Sequence, residues 1–154
     1  VFGDWSSDVC SSDLKLLNDR HGHECGDRLL TAVARQVELV TRDEDTFARM
    51  GGDEFVLLID HMPVDRAAHE AERLALAVLS ANASLQTDVQ VTASIGILTI
   101  VDPQGLTPDQ ALRMADDLMY EVKRSAKNGY LIRACEGNTK PDTIGPAEQQ
   151  HARG

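Results

Sequence analysis

Apolar positions recur along this chain in helix-like stripes separated by strand-like runs. From Asp27 to Val40, the residues Leu30, Val33, Val37 and Val40 fall on one helical face, so a helix is predicted there. Thr46–Met50 and Phe55–Ile59 are apolar-rich runs flanking Gly51-Gly52, the pattern of two strands joined by a tight hairpin turn. A polar break at Asp60-His61-Met62-Pro63 precedes a second stripe, Ala67, Ala71, Leu74, Val78 and Leu79, predicting a helix over Val64–Ala81. Val89–Val101 alternates and is β-rich, and Gly96 inside it marks a close backbone approach. It reads as a central strand that could belong to a hairpin.

Thr107-Pro108-Asp109-Gln110 has the chemistry of a helix start: a threonine cap, proline at the first helical position and glutamine three residues on. Leu112, Ala115, Leu118, Met119, Val122 and Ala126 give the buried stripe of that helix, and Asn128-Gly129 ends it. Tyr130–Ile132 is a short closing strand. This order predicts an α+β fold, an antiparallel-rich sheet with helices on its faces.

The two ends differ from the middle. Gly3 to Leu14 is polar and Ser/Asp-rich, and Asp4–Leu14 resembles one reading frame of a common sequencing adapter. Residues 1–14 are therefore expected to be an artefactual or disordered leader, outside fold reasoning, with Trp5 and Cys10 carrying no functional information. Residues 15–133 form the expected domain, and 134–154 a polar tail or linker.

Composition narrows the class. The 154 residues, 42% apolar and 26% charged, suit one globular domain with a sizeable core. No apolar run approaches the ~18 residues of a membrane helix. A formal charge of −10 argues against a nucleic-acid polymer as partner. Three cysteines without framework spacing suggest reduced thiols and a cytoplasmic setting, with membrane anchoring of a longer parent left open.

The candidate chemistry centres on Arg49-Met50-Gly51-Gly52-Asp53-Glu54-Phe55. Glycines lacking Cβ atoms let a phosphate approach the backbone, and two adjacent carboxylates can hold a hard divalent ion. Upstream, Lys15-Leu16-Leu17-Asn18-Asp19 is followed by Gly22-His23-Glu24-Cys25-Gly26-Asp27. Asn and Asp side chains match the hydrogen-bonding edge of guanine. Each feature alone also has a plain structural reading: a solvated turn, a first-turn acid, or dipole complementation by Lys123 and Lys127 at a helix end.

Together these motifs resemble the GGDEF family, the bacterial diguanylate cyclases. Lys-x-x-Asn-Asp, Gly-His-x-x-Gly-Asp, Gly-Gly-Asp-Glu-Phe, Ser94-Ile95-Gly96 and the late lysine-bearing helix occur in family order between Lys15 and Ile132. The resemblance implies a ferredoxin-like, adenylate-cyclase-like core with a mainly antiparallel central sheet, its first strand disrupted here by the leader. It implies condensation of two GTP molecules into cyclic di-GMP and two pyrophosphates, across a homodimer, with Mg²⁺ or Mn²⁺. It assigns catalysis and metal binding to Asp53 and Glu54. Asn18, His23 and Asp27 would line the guanine pocket, Gly51 and Gly52 would border the phosphates, and Lys123 and Lys127 would neutralise them.

Arg42 and Asp45 match the family's Arg-x-x-Asp inhibitory site for cyclic di-GMP, to which Arg73 would contribute. An upstream regulatory domain is the usual companion in the family. One departure stands out. The family's first metal aspartate falls at Cys10 and its second aspartate at Ser12, both within the leader. This leaves open an inactive domain that senses GTP or cyclic di-GMP, or a plain dimerisation module.

Overall fold

The computed structural model describes residues 2–125 and 128–136. Five strands form one sheet in the order β2-β3-β1-β4-β5. The elements are β1 (Phe2–Val9), α1 (Ser11–His21), α2 (His23–Val40), β2 (Thr46–Gly51), β3 (Glu54–Asp60), α3 (Ala67–Asn82), β4 (Ala93–Asp102), α4 (Pro108–Ser125) and β5 (Gly129–Glu136). All neighbouring pairs are antiparallel except β4 and β5, which are parallel. The expected α+β architecture with a mainly antiparallel sheet is what forms.

The leader departs from expectation. Residues 2–9 are neither disordered nor excluded from the sheet: they make its central strand, with Ser6 opposite Val56 on one side and Gly96 on the other. The expectation of a disrupted first strand is corrected accordingly. The physical reason is that strand pairing uses backbone N–H and C=O groups, which a Ser/Asp-rich segment supplies like any other. Without β1, the facing edges of β3 and β4 would both lack partners.

A helix unforeseen in the sequence, α1, follows at once. Its Asp13 accepts from Thr92 Oγ1 at 3.0 Å, tying the first turn to the segment before β4. Gly22 separates α1 from α2 with φ of +84°, a conformation costly for other residues. Hence α2 starts at His23 rather than Asp27.

One face of the sheet carries α1, α2 and α3. Leu17, Leu29, Val33, Val37, Leu74 and Val78 pack there with Phe55, Leu57, Ile95 and Ile97 in one buried cluster. On the other face, Ala111 and Ala115 of α4 pack with Leu98, Ile100 and Cys135. β4 is covered on both sides, so residues 93–100 are all buried instead of alternating. Its partners are β1 and β5, so the hairpin option for this stretch is not realised. The capping box at Thr107 forms: Gln110 Oε1 accepts from the Thr107 N–H at 2.9 Å, and the Gln110 N–H donates to Thr107 Oγ1 at 3.3 Å.

The closing strand runs to Glu136, longer than the Tyr130–Ile132 core expected, and takes in three residues assigned to the tail. Lys127 and the run 137–154 lie outside the described residues. All three cysteines are free and buried. No described helix is long and apolar enough to cross a membrane.

Gly96 fixes how closely α4 lies on the sheet. A Cβ there would sit 2.3 Å from the Ala115 carbonyl oxygen and 2.5 Å from the Met119 nitrogen. Both are helix backbone atoms, which no rotamer change can move. Gly96→Ala is therefore expected to destabilise the domain by about 1–3 kcal/mol, as overpacked cores do, read as a lower denaturant midpoint.

Candidate active site

The site is assembled where the β2–β3 turn meets the end of β1. Gly52 has φ of +54°, the left-handed region, and Gly51 one of +155°. Arg49 clamps the turn from below: its Nε donates to the Gly52 carbonyl at 2.9 Å, and Nη2 donates to the same oxygen. On the other side, the Val9 N–H donates to the Asp53 carbonyl at 3.1 Å. The turn is thus held between its own strand and the central strand. Asp53 is half-buried there, and Glu54 is exposed.

The next residue of the chain, Cys10, is also at this junction. Its N–H donates to the Thr92 carbonyl at 2.8 Å, and its buried Sγ lies 3.3 Å from Ser12 Oγ. From Cys10, α1 leads away over two turns, roughly 12 Å of helix, to Asn18. Asn18 Oδ1 is buried without a hydrogen-bond partner among the described residues. It lies directly over Gly26, where a Cβ would come within 2.0 Å of that oxygen. His23 and Asp27 are exposed near the start of α2, beside the α1–α2 break. Asn18, His23 and Asp27 therefore come together, joined by the Gly22 N–H to the Asn18 carbonyl at 2.8 Å.

Lys123 occupies the last turn of α4, half-buried, and burial holds its ammonium below the ordinary lysine pKa. Desolvation of that kind sharpens the attraction of a cation for an incoming phosphate.

A second cluster lies in the loop between α2 and β2. The Arg42 N–H donates to Asp45 Oδ2 at 2.9 Å, and the Asp45 N–H donates to the Arg42 carbonyl at 3.0 Å. The Arg42 guanidinium is exposed and lies 4.0 Å from Glu44, while Asp45 Oδ1 is buried and unpartnered among the described residues. Arg73 is on α3 with its guanidinium paired to Glu70. Among the described residues, no hydrogen bond or ion pair joins it to Arg42 or Asp45.

Residues 11–129 match the family described as "Diguanylate cyclase, GGDEF domain". The chain belongs to the GGDEF family. It is 40% identical over 118 residues to the bifunctional diguanylate cyclase/cyclic di-GMP phosphodiesterase MucR of Pseudomonas aeruginosa, covering 77% of this chain and 17% of that protein. It is 35% identical over 117 residues to the diguanylate cyclase DgcM of Escherichia coli K12, covering 76% of this chain and 28% of that protein. Among solved structures, the GGDEF domain of DgcB from Caulobacter crescentus in complex with c-di-GMP superposes with a TM-score of 0.73 at 25% identity, covering 85% of this chain and 77% of that one. The chain thus spans under a third of the length of these two curated relatives.

The protein donors for a divalent ion in this GGDEF domain are few. Asp53 and Glu54 offer carboxylate oxygens, but the junction's third group is the Cys10 thiol. Among the described residues, no three His, Cys, Asp or Glu side chains converge as ligands. Hard ions such as Mg²⁺ take oxygen donors, and sulfur does not replace them. Mg²⁺ commonly takes one or two protein carboxylates and completes its shell with water and substrate phosphates, so Asp53 and Glu54 could hold it beside a nucleotide, with no oxygen supplied by Cys10.

Two contributors had no role in the sequence reading. Arg49 stood inside the central motif, and its reach across the turn depends on the hairpin geometry. Gly26 was legible only as a motif letter, since the contact with Asn18 exists only once α1 and α2 are folded together. Gly26→Ala is expected to push the Asn18 side chain aside, because that flexible group, unlike backbone, can move. The fold should lose under ~1 kcal/mol. GTP affinity measured by calorimetry should fall about tenfold, the loss of one well-made hydrogen-bonding group.

Proposed function

We propose that this GGDEF domain is the catalytic domain of a diguanylate cyclase, joining two GTP molecules into cyclic di-GMP with release of two pyrophosphates. The observation that carries this reading is the clamped Gly51-Gly52 turn, which holds Asp53 at the end of β1, with the unpartnered Asn18 carboxamide along α1. One end of that arrangement suits phosphates and the other a guanine base.

In this reading Asn18 and Asp27 meet the guanine edge, and His23 lines the same pocket. The Gly51-Gly52 backbone borders the phosphates, and Lys123 neutralises them; Lys127 would assist. Two such domains face each other, each holding one GTP. The 3′-oxygen of one nucleotide forms a bond to the α-phosphorus of the other. The α–β bridging P–O bond breaks, and pyrophosphate leaves. The proton from the 3′-hydroxyl passes to a carboxylate at the turn, Asp53 being the placed one and Glu54 its neighbour. The family uses divalent metal ions, Mg²⁺ or Mn²⁺ by resemblance; here Asp53 and Glu54 would hold one, and it would neutralise the phosphates and favour loss of the 3′-hydroxyl proton.

Product inhibition is proposed at Arg42 and Asp45. The exposed Arg42 guanidinium can take a phosphate, and Asp45, three residues on, keeps a carboxylate oxygen with no partner among the described residues that can accept from a guanine nitrogen. Arg73 would have to leave Glu70 to join them.

The second reading is a domain that binds GTP or cyclic di-GMP without turnover. The buried Cys10 thiol favours it, because it stands at the position of the family's metal aspartate. GTP turnover with Mg²⁺ on two chains separates the readings. In one, residues 1–14 are unchanged. In the other, they are replaced by a strand ending Asp-x-Asp-x-Phe. Cyclic di-GMP is expected from both, more slowly from the first, whose Cys10 offers no carboxylate. Nucleotide binding without product from either would decide for the sensor.

In the chain with restored aspartates, Asp53→Ala should lower turnover at least about 100-fold, the range for a group acting on the transferred proton. Cyclic di-GMP binding at Arg42 and Asp45 should be retained. Simultaneous loss of both would refute separate sites.

A further inference from the structure

Helix α1 is held by very little packing. Of its 11 residues, Leu17 alone is fully buried, with Leu14 partly buried beside the same cluster. A helix in a folded domain ordinarily takes its orientation from a broad apolar stripe pressed on its neighbours, and α1 has no such stripe. Yet this helix carries Asn18, whose Oδ1 is buried, unpartnered among the described residues and set over Gly26. A side chain that meets a planar base edge has to be held to about half an ångström. Polar ties supply what packing does not.

Those ties come from one segment, residues 83–92 between α3 and β4. At the start of α1, the Cys10 N–H donates to the Thr92 carbonyl at 2.8 Å, and Thr92 Oγ1 donates to Asp13 Oδ2 at 3.0 Å. At its end, both oxygens of Asp88 are engaged. Arg20 Nη1 donates to Oδ2 at 2.6 Å, and His21 Nε2 lies 2.8 Å from Oδ1. Arg20 and His21 follow Asn18 within one helical turn, and the next residue, Gly22, is the break at which α1 gives way to α2. Asp88 therefore grips α1 at the end nearest Asn18.

The segment is itself anchored. The Asn82 carboxamide at the end of α3 bonds both ways with Val91, accepting from its N–H at 2.8 Å and donating to its carbonyl at 2.8 Å. Val89 and Val91 are buried in the main cluster, so Asp88 stands beside a residue fixed in the core. The His21 bond first, and Arg20 with it, hold the Asp88 carboxyl below the usual carboxylate range, so it is charged at neutral pH. Exposed ion pairs add little to overall stability. The effect of this one is local: a single carboxylate fixes two successive residues of a loosely packed helix.

We propose that Asp88 is a positioning residue for guanine-nucleotide binding. Through Arg20 and His21 it fixes the end of α1, so that Asn18 is held where the base arrives. The inference rests on the reading of Asn18 as a guanine contact and extends it to a residue outside the nucleotide site.

Calorimetry on the unaltered chain and its variants tests this, with GTP as ligand and inorganic tripolyphosphate as the probe of the phosphate end alone. Asp88→Ala should weaken GTP binding about three- to fivefold, the scale of an exposed ion pair, and leave tripolyphosphate binding unchanged. Asn18→Ala should weaken GTP binding about tenfold. Adding Asp88→Ala to Asn18→Ala should cost nothing further, because Asp88 acts through Asn18.

Additive losses in the double variant, or an equal loss of tripolyphosphate binding, would give Asp88 a merely structural role and overturn the inference. So would unchanged GTP affinity in Asp88→Ala where Asn18→Ala weakens it. Unchanged affinity in Asn18→Ala, or no GTP binding by the unaltered chain, refutes the guanine reading itself and takes the inference with it. Thermal melts check that each variant folds. Asp88→Asn, which keeps the side-chain shape and removes the charge, should show the same trend if the alanine variant does not fold.

Discussion

The pairing of β1 on both of its edges is the interaction on which the rest of this structure depends. β3 bonds to one side and β4 to the other, so a single strand joins the Gly51-Gly52 hairpin to the strand and helix that carry Gly96 and Lys123. Remove it and the sheet divides into two ribbons. Because a ladder is built from backbone groups, its central position does not demand apolar or β-branched side chains at every step. A segment rich in Ser, Asp and Gly, with Phe2, Trp5 and Val9 among them, therefore completes the sheet.

The same indifference explains how the fold forms whatever side chain stands at the end of β1. Backbone contacts at the end of β1 are in place: Val9 meets Asp53, and Cys10 meets Thr92. The turn is positioned, α1 runs out towards Asn18, and Gly26 leaves room for its carboxamide. What the strand end does not bring is a carboxylate at Cys10. Geometry comes from the ladder and chemistry from the side chains, and at Cys10 the ladder is kept while the side chain is a thiol.

Glycine is the recurring device by which elements are brought close. Gly96 admits the backbone of α4, Gly26 admits Asn18, and Gly52 takes the left-handed turn that Arg49 then holds. The cost is a sheet whose second face is covered only as far as α4 reaches. Beyond it, Met50 on β2 and Leu58 on β3 are exposed.

The sequence by itself determined the element types over most of the chain. The stripes of α2, α3 and α4, the Gly-Gly hairpin and the Thr107–Gln110 cap depend on neighbours within a few residues, and local pattern encodes local structure. It also determined family membership, because the motifs keep their spacing. Only the tertiary structure decided the fate of residues 2–9, since their strand is made by the two edges waiting for it rather than by their own propensity. Tertiary packing likewise set the full burial of β4, the Arg49 clamp, the orphaned Asn18 oxygen and the uncovered half of the sheet. Each depends on which distant segments come to lie side by side, and no window along the chain contains that.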